Sequence, residues 1–546
     1  MANLIKNFEY EQDEQLELSK LYQEVDSKLK NSFNLMRKKQ KKISIIDFCQ
    51  EIKNYNLKDT LISIAKVSQR TFHQKDSFGY ALKGKDNEYL TNMYSLAKLT
   101  HLCLLSEAND YKHQKLSESI FANIIYLSRL CCTDLEEKII SRENILSQLI
   151  KEQIYFQLPV DSKVARSYIM FSKILNNENL IANYGAQIPC DINTIFEQNT
   201  GLTISEYFNY ALVIFAWTKH QDILIDEQYF RSINTLKKII PEDKLYLFFN
   251  FLKVSYKEYR TLSKDKPYIN ILNFKPIIEF NDKRNYKCVI PNISCFLEKV
   301  YNNLYFDFEK FYELKSEKER QIFRSCFGFI YQEYIGLLLK ERFSSSGEIK
   351  PELSYKKNGT IAKFTDWILE HNGTNYLIEV KAKSIPLKYI YETNIEEYYI
   401  KTIIPEIEKF YEKVTIDINK QELQFLKDKK IVPILLFKDI PMINSPMTKH
   451  LITKNIKNNR KLVTSIENNE IILMNCDEFE YAIEAIFNNV DIVDVFKTTN
   501  NDIAKSSIQV MQERSKESIQ NQYLSKIYNE VFGTFLEGIK EKTLTN

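Results

Sequence analysis

Apolar residues recur every three or four positions through most of the first half of the chain. Residues 16–29, 45–53, 90–105, 120–130 and 204–217 carry this pattern, and each is predicted to be an amphipathic helix. No fixed period links them, so a regular solenoid is not expected. Residues 1–265 therefore read as an irregular α-helical domain for sensing or interaction.

The texture changes near Lys266-Pro267. Residues 274–280 and 286–290 alternate as short strands around the polar turn 281–285. This β-hairpin is taken as a connector spanning 266–300. Pro291-Asn292 then opens a helix running to about residue 314. In the next helix, residues 317–343, Phe323, Phe327, Ile330, Tyr334 and Leu337 form an apolar stripe that ends at Ser344–Gly347.

Beyond it come strands at 360–370 and 374–383, a helical region broken at Pro405, and a strand at 430–437 expected to be fully buried. A further strand at 470–474, a helix at 477–487 and a helical tail from about 502 to 542 complete the chain. Strands alternating with helices predict an α/β core over 301–500 and a helical tail over 501–546. The expected class is α+β multidomain.

Composition supports this division. Gly (11) and Pro (12) are scarce in 546 residues, and the first proline is Pro159. An average chain would carry roughly 12% of the two together, so a mainly β sandwich, barrel or propeller is not expected. Lys and Arg number 75 against 72 Asp and Glu, a net charge of +3. A non-specific nucleic-acid coat is excluded, while a local basic patch is not. The nine cysteines are odd in number and contain no CxxC, as expected of reduced thiols in a cytoplasmic protein. The polar start MANLIKNFEYEQDEQ carries no leader pattern, and the apolar run 210–217 is far too short to span a bilayer.

The chemistry concentrates in FTDWILEHNGTNYLIEVKAK, residues 364–383. Asn372-Gly373 between two alternating runs is a strong hairpin signal. With those two residues as the loop, His371 faces Thr374, Asp366 faces Glu379 and Phe364 faces Lys381. Opposed carboxylates repel unless a cation sits between them. A hard oxygen-seeking ion such as Mg²⁺ or Mn²⁺ suits that pair. Lys381 projects from the same face as Glu379, while Tyr376, Ile378, Val380 and Ala382 form the apolar face expected to be core.

Asp366, Glu379-Val380-Lys381, the preceding helix and the later buried strand resemble the PD-(D/E)xK, or restriction-endonuclease-like, nuclease superfamily. The resemblance covers about 300–500. It implies metal-dependent phosphodiester hydrolysis, with Asp366 and Glu379 holding one or two Mg²⁺ and the Val380 carbonyl as a further ligand. Lys381 would orient the attacking water or offset charge on the pentavalent phosphate. A helix glutamate assists the metal in that family, and Glu333 in Gly328–Gly336 matches its position. Thr365 stands where the family motif has proline, and no Q-x-x-x-Y signature occurs over 394–413. Tyr398, Tyr399 and Lys401 are the polar residues there.

Lys383 lies on the Lys381 face, placed to meet a flanking phosphate. Lys356, Lys357 and Lys363 cluster before Asp366 as further contacts to a nucleic-acid backbone, with a solvated charged run as the alternative. Residues 79–86 nearly spell a phosphate loop, but Asp86 replaces the needed hydroxyl, so a surface loop is expected. His371 is expected to be a solvated turn residue.

The expected partner is nucleic acid, DNA before RNA, without a membrane. A second copy or a defence-system protein is the candidate companion, by analogy with phage-defence effectors. An inactive nuclease-fold scaffold and an RNA-directed or partner-activated nuclease are the alternatives.

Overall fold

The computed structural model describes residues 45–73, 80–83, 88–91, 93–106, 121, 124, 160–175, 191–220, 224–226, 241–265, 270–282, 285–386, 389, 395–501, 506–515 and 519–544. The predicted helix 16–29, most of 120–130 and the Lys266-Pro267 boundary lie outside them. The fold is mixed α/β with a largely helical N-terminal region. Among the described residues no helix is long and apolar enough to cross a membrane.

Helices Ile45–Ile52, Leu57–His73 and Met93–Leu105 open the described chain, with the antiparallel hairpin β1 (Tyr80–Lys83) and β2 (Glu88–Thr91) among them. The stretch expected as a surface loop thus contributes a strand at 80–83. A phosphate loop would need that backbone free and turned toward a helix N-terminus. Helix α1 (Val160–Tyr168) continues into the π-helical turn Ile169–Ile174. Helices Ile192–Thr200 and Ile204–His220 follow, then β3 (Leu224–Asp226), helix Glu242–Leu252, β4 (Lys253–Ser255) and helix Tyr256–Asp265.

Strands β5 (Ile277–Asp282) and β6 (Asn285–Val289) form the hairpin predicted over 274–290. It is the centre of a four-stranded sheet ordered β3-β6-β5-β4. Both flanking strands come from the helical half. At three residues each, they are too short to show a period in the sequence.

Helix α2 (Glu317–Phe343) begins where Ser316 accepts a hydrogen bond from the Glu319 amide. Acidic Glu317 and Glu319 lie in its first turn and basic Lys340 and Arg342 in its last, matching the helix dipole. Strand β7 (Glu348–Pro351) follows, then the two-stranded ribbon of β8 (Ser354–Lys357) and β9 (Thr360–Lys363). Strands β10 (Trp367–His371) and β11 (Thr374–Ser384) form the Asn372-Gly373 hairpin. Helix α3 (Ile404–Thr415) leads to β12 (Lys430–Asp439), and helices Pro446–Asn455 and Arg460–Glu467 lead to β13 (Ile472–Asn475). Helix α4 (Cys476–Phe487) starts with a capping box from Asn475 and Glu478. The tail holds helices Ile492–Asn501, Ser507–Arg514 and Gln522–Leu544.

The main sheet runs β13-β12-β11-β10-β7. Strands β11, β12 and β13 are parallel, and β10 is antiparallel to both neighbours. The helices of both parallel crossovers pack on one face, against Leu377, Leu435, Phe437 and Leu473. Helices α2 and α4 cover the other face, against Ile378, Val380, Ile434, Leu436 and Met474. Burial on both sides explains why residues 431–437 of β12 form an unbroken apolar run, with exposed Lys430 before it. It also corrects the expectation of β11 as core on one side only. Leu377 is core on the Glu379 face, and the charged residues begin where that core ends.

One continuous core joins the α2–α4 face of this sheet to Phe48, Leu61, Phe196 and Phe208 of the N-terminal region. A buried ionic link reinforces it. Arg166 of α1 donates to both Glu480 oxygens, at 2.7 and 2.9 Å, and also pairs with Asp477, all against α4. Tyr334 of α2 donates to the same Glu480 at 2.5 Å.

The predicted strand 360–370 is interrupted. Its first part joins the β8–β9 ribbon, the chain bends through Phe364–Asp366, and only Trp367–His371 enters the main sheet. Trp367 fixes the restart, its indole N–H donating to the Gln332 carbonyl of α2 at 2.9 Å. A Cβ on Gly336 would fall inside the Trp367 ring. Gly336→Ala, which elsewhere in a helix would stabilise by about 1 kcal/mol, is therefore expected to destabilise by about 1–3 kcal/mol. Urea unfolding measures this, and a stabilised variant would refute the close approach.

His371 is not solvated. It is buried between the rings of Phe343 and Phe487, with Nδ1 3.1 Å from the Ser346 carbonyl oxygen.

Candidate active site

The β10–β11 ladder pairs Trp367 with Ile378 and His371 with Thr374, the register expected from the Asn-Gly loop. Both loop residues take the positive φ that such a turn requires, 46° at Asn372 and 73° at Gly373. Asp366 lies one residue beyond the ladder, in the bend rather than in the strand. Its carboxylate accepts a hydrogen bond from the Val380 amide at 2.7 Å. A strand residue's amide and carbonyl face the same side, so the Val380 carbonyl is on the Asp366 side of β11 too. The expected pairing of Phe364 with Lys381 does not form. Phe364 instead takes its amide to Leu353 and its carbonyl to Lys413.

Glu379 is almost wholly buried on the α3 face of β11. Its Oε1 accepts from Lys381 at 2.9 Å, and both its oxygens accept from Lys413 at 2.9 Å. Lys381 also lies 3.5 Å from Glu406. Glu406 and Lys413 both come from α3, whose apolar residues Ile407, Phe410 and Val414 seat it on the sheet. The site is thus three carboxylates and two ammonium groups held between a hairpin and a crossover helix.

Burial, and then the charge of Glu379, push the Asp366 carboxyl up to about 7. The Val380 amide and the two lysines only partly offset this. Burial alone would lower Lys381, but Glu379 and Glu406 hold its ammonium above the usual lysine range.

Glu333 is buried on α2, next to the Gln332 carbonyl that binds Trp367. Its helix covers the sheet face opposite to Glu379 and Lys381, at the Asp366 end of β10. Lys383 is half-buried past Lys381, where the β11–β12 register shifts. Lys357 is engaged elsewhere, holding Glu412 at 2.6 Å and buried Asp417 at 2.9 Å, so it fastens the ribbon to the end of α3. Lys363 pairs with Glu352 at 2.6 Å, and Lys356 is exposed on the ribbon. Of the helical candidates, Tyr398 donates to the Ser384 carbonyl at 2.8 Å, Tyr399 is buried and Lys401 pairs with Glu397.

Lys413 and Glu406 were not among the residues expected here. Their trace in the sequence is faint: with Phe410 they share one helical stripe, two charges interleaved with core.

Among the described residues no group of three or more His, Cys, Asp or Glu side chains is placed to hold a metal. The donor set at the hairpin is smaller: the Asp366 and Glu379 carboxylates and a backbone carbonyl. Oxygen ligands suit a hard divalent ion that keeps several waters. Such a charge offsets the burial and the Glu379 field that raise Asp366. The set therefore fits Mg²⁺ or Mn²⁺, with Lys413 on the same oxygens. No protein-family model, no curated protein and no solved structure matches this chain.

Proposed function

We propose that this protein is a metal-dependent nuclease that hydrolyses phosphodiester bonds, with DNA as the substrate. One observation carries the reading: the Asp366 carboxylate is docked on the Val380 amide beside Glu379, and Lys381 is held on Glu379. An aspartate entering a hairpin whose second strand bears Glu-x-Lys is the arrangement implied by the PD-(D/E)xK resemblance.

Asp366, Glu379 and the Val380 carbonyl would hold the Mg²⁺. When bound, that ion lowers the pKa of a coordinated water and offsets charge on the phosphate. The protein's own groups supply position and field. The Val380 amide fixes the Asp366 carboxylate, and Trp367 clamps the bend that carries it to α2. Glu379 and Glu406 hold Lys381 as a charged donor beside the carboxylate that would take the metal. There it can orient the attacking water or donate to a phosphate oxygen as negative charge grows. The core behind Glu379 limits solvent and strengthens each of these interactions.

The test uses the full chain with supercoiled plasmid, linear duplex, single-stranded DNA and RNA. Cleavage with Mg²⁺ or Mn²⁺ that stops in EDTA is expected, with DNA preferred. A chain that leaves all four substrates intact with either metal would overturn the proposal, and RNA-only cleavage would replace its substrate.

A further inference from the structure

Helix α3 adds an ammonium to the centre of the site. Lys413 Nζ donates to Glu379 Oε1 and Oε2 at 2.9 Å each, and to the Phe364 carbonyl at 2.8 Å. Those three contacts match the three donors an ammonium possesses. Phe364 lies two residues before Asp366, so one side chain of α3 ties both acidic arms of the hairpin together.

The same contacts set up a competition. Lys413 donates to both Glu379 oxygens, the atoms that a divalent cation would approach. A second ammonium on that carboxylate, beside Lys381, repels a divalent ion brought to the same oxygens. Glu379 is 5% exposed while Lys413 is 24% exposed. The carboxylate is thus fixed in the core, and the lysine, on a four-carbon stem in the last turn of α3, has a path to solvent.

We infer that Lys413 is the resident counter-ion of Glu379, that it competes with the divalent metal for that carboxylate, and that nucleic-acid phosphate relieves the competition by drawing it away. The inference rests on the nuclease reading and concerns how that site is regulated. Metal affinity is held down in the free protein. A phosphate at the site offers Lys413 an alternative anion, and Glu379 is released to the metal. By linkage, metal and nucleic acid then strengthen each other's binding by the same factor.

The experiment is calorimetric titration of Mn²⁺ into the full chain, without nucleic acid and then with a phosphorothioate duplex that resists cleavage. Lys413→Met keeps the stem and removes the charge. It is expected to bind Mn²⁺ at least about tenfold tighter than wild type, and to lose the gain that the duplex gives wild type. Lys413→Arg, with a fork matched to the carboxylate, is expected to bind Mn²⁺ more weakly. Opposite signs from two substitutions would not follow from a merely structural role. Thermal melting checks that each variant folds; if Lys413→Met does not, an Arg variant equal to wild type overturns the inference.

Equal or weaker Mn²⁺ binding by Lys413→Met also overturns it. If Asp366→Asn then abolishes that binding, the nuclease reading survives alone. If neither wild type nor Lys413→Met binds Mn²⁺, or binding persists in Asp366→Asn, the metal site itself falls and the Lys413 role with it.

Discussion

Lys381→Ala is expected to reduce metal-dependent cleavage by about 10²–10³-fold, the usual loss when one preorganised donor to a developing charge is removed. The side chain is held by Glu379 of β11 at 2.9 Å and by Glu406 of α3 at 3.5 Å. Its removal leaves Glu379 with both Lys413 bonds, so no buried carboxylate is stranded. The melting temperature should therefore shift by less than about 4 °C. Lys381→Arg should not restore activity, because a planar fork cannot replace a point charge in a seat shaped by two carboxylates. Equal cleavage rates for Lys381→Ala and wild type, measured with the same metal and substrate, would remove Lys381 from the site.

Arg166→Met should have the largest effect on stability, about 3–5 kcal/mol. Arg166 and Glu480 are both buried and joined by two hydrogen bonds, and Asp477 adds a third. Burial already pushes the Glu480 carboxyl up, against the pull of Arg166. Without the guanidinium, Glu480 would keep Tyr334 but lose its counter-charge. The double variant Arg166→Met with Glu480→Gln should recover much of the loss, since a buried pair removed together costs less than one partner stranded. Guanidinium unfolding of both single variants and the double variant measures the coupling. A loss below about 1 kcal/mol in Arg166→Met would mean that water reaches this link.

What the sequence discloses here follows the range of each interaction. Helix α2 is legible because its stripe runs from Phe323 to Leu337 and Ser344–Gly347 marks its end. The hairpin register is legible because Asn372 and Gly373 must adopt positive φ, which fixes the pairs from His371–Thr374 back to Trp367–Ile378. Glu379 and Lys381 share a face of β11 for the same reason, whereas Asp366 reaches them from the bend, through the Val380 amide.

Nothing local announces the bend at Phe364–Asp366, which depends on Trp367 packing against Gly336, 31 positions away. Lys413 and Glu406 meet the hairpin only once a crossover helix has docked. His371 follows a polar-looking turn pattern, yet two aromatic rings from distant helices enclose it. Strands β3 and β4 are too brief to register as strands before the sheet recruits them.

The core that runs from Phe48 to the α2–α4 face of the main sheet bears on how this chain can be dissected. A fragment cut at residue 301 would keep Tyr334 and Glu480 but shed Arg166, and would lay bare apolar surface on α2 and α4. The helical half is therefore not a cassette that recombination could exchange without repacking those helices. Any change that loosens its seat reaches Trp367 through α2, and through Trp367 the bend that carries Asp366.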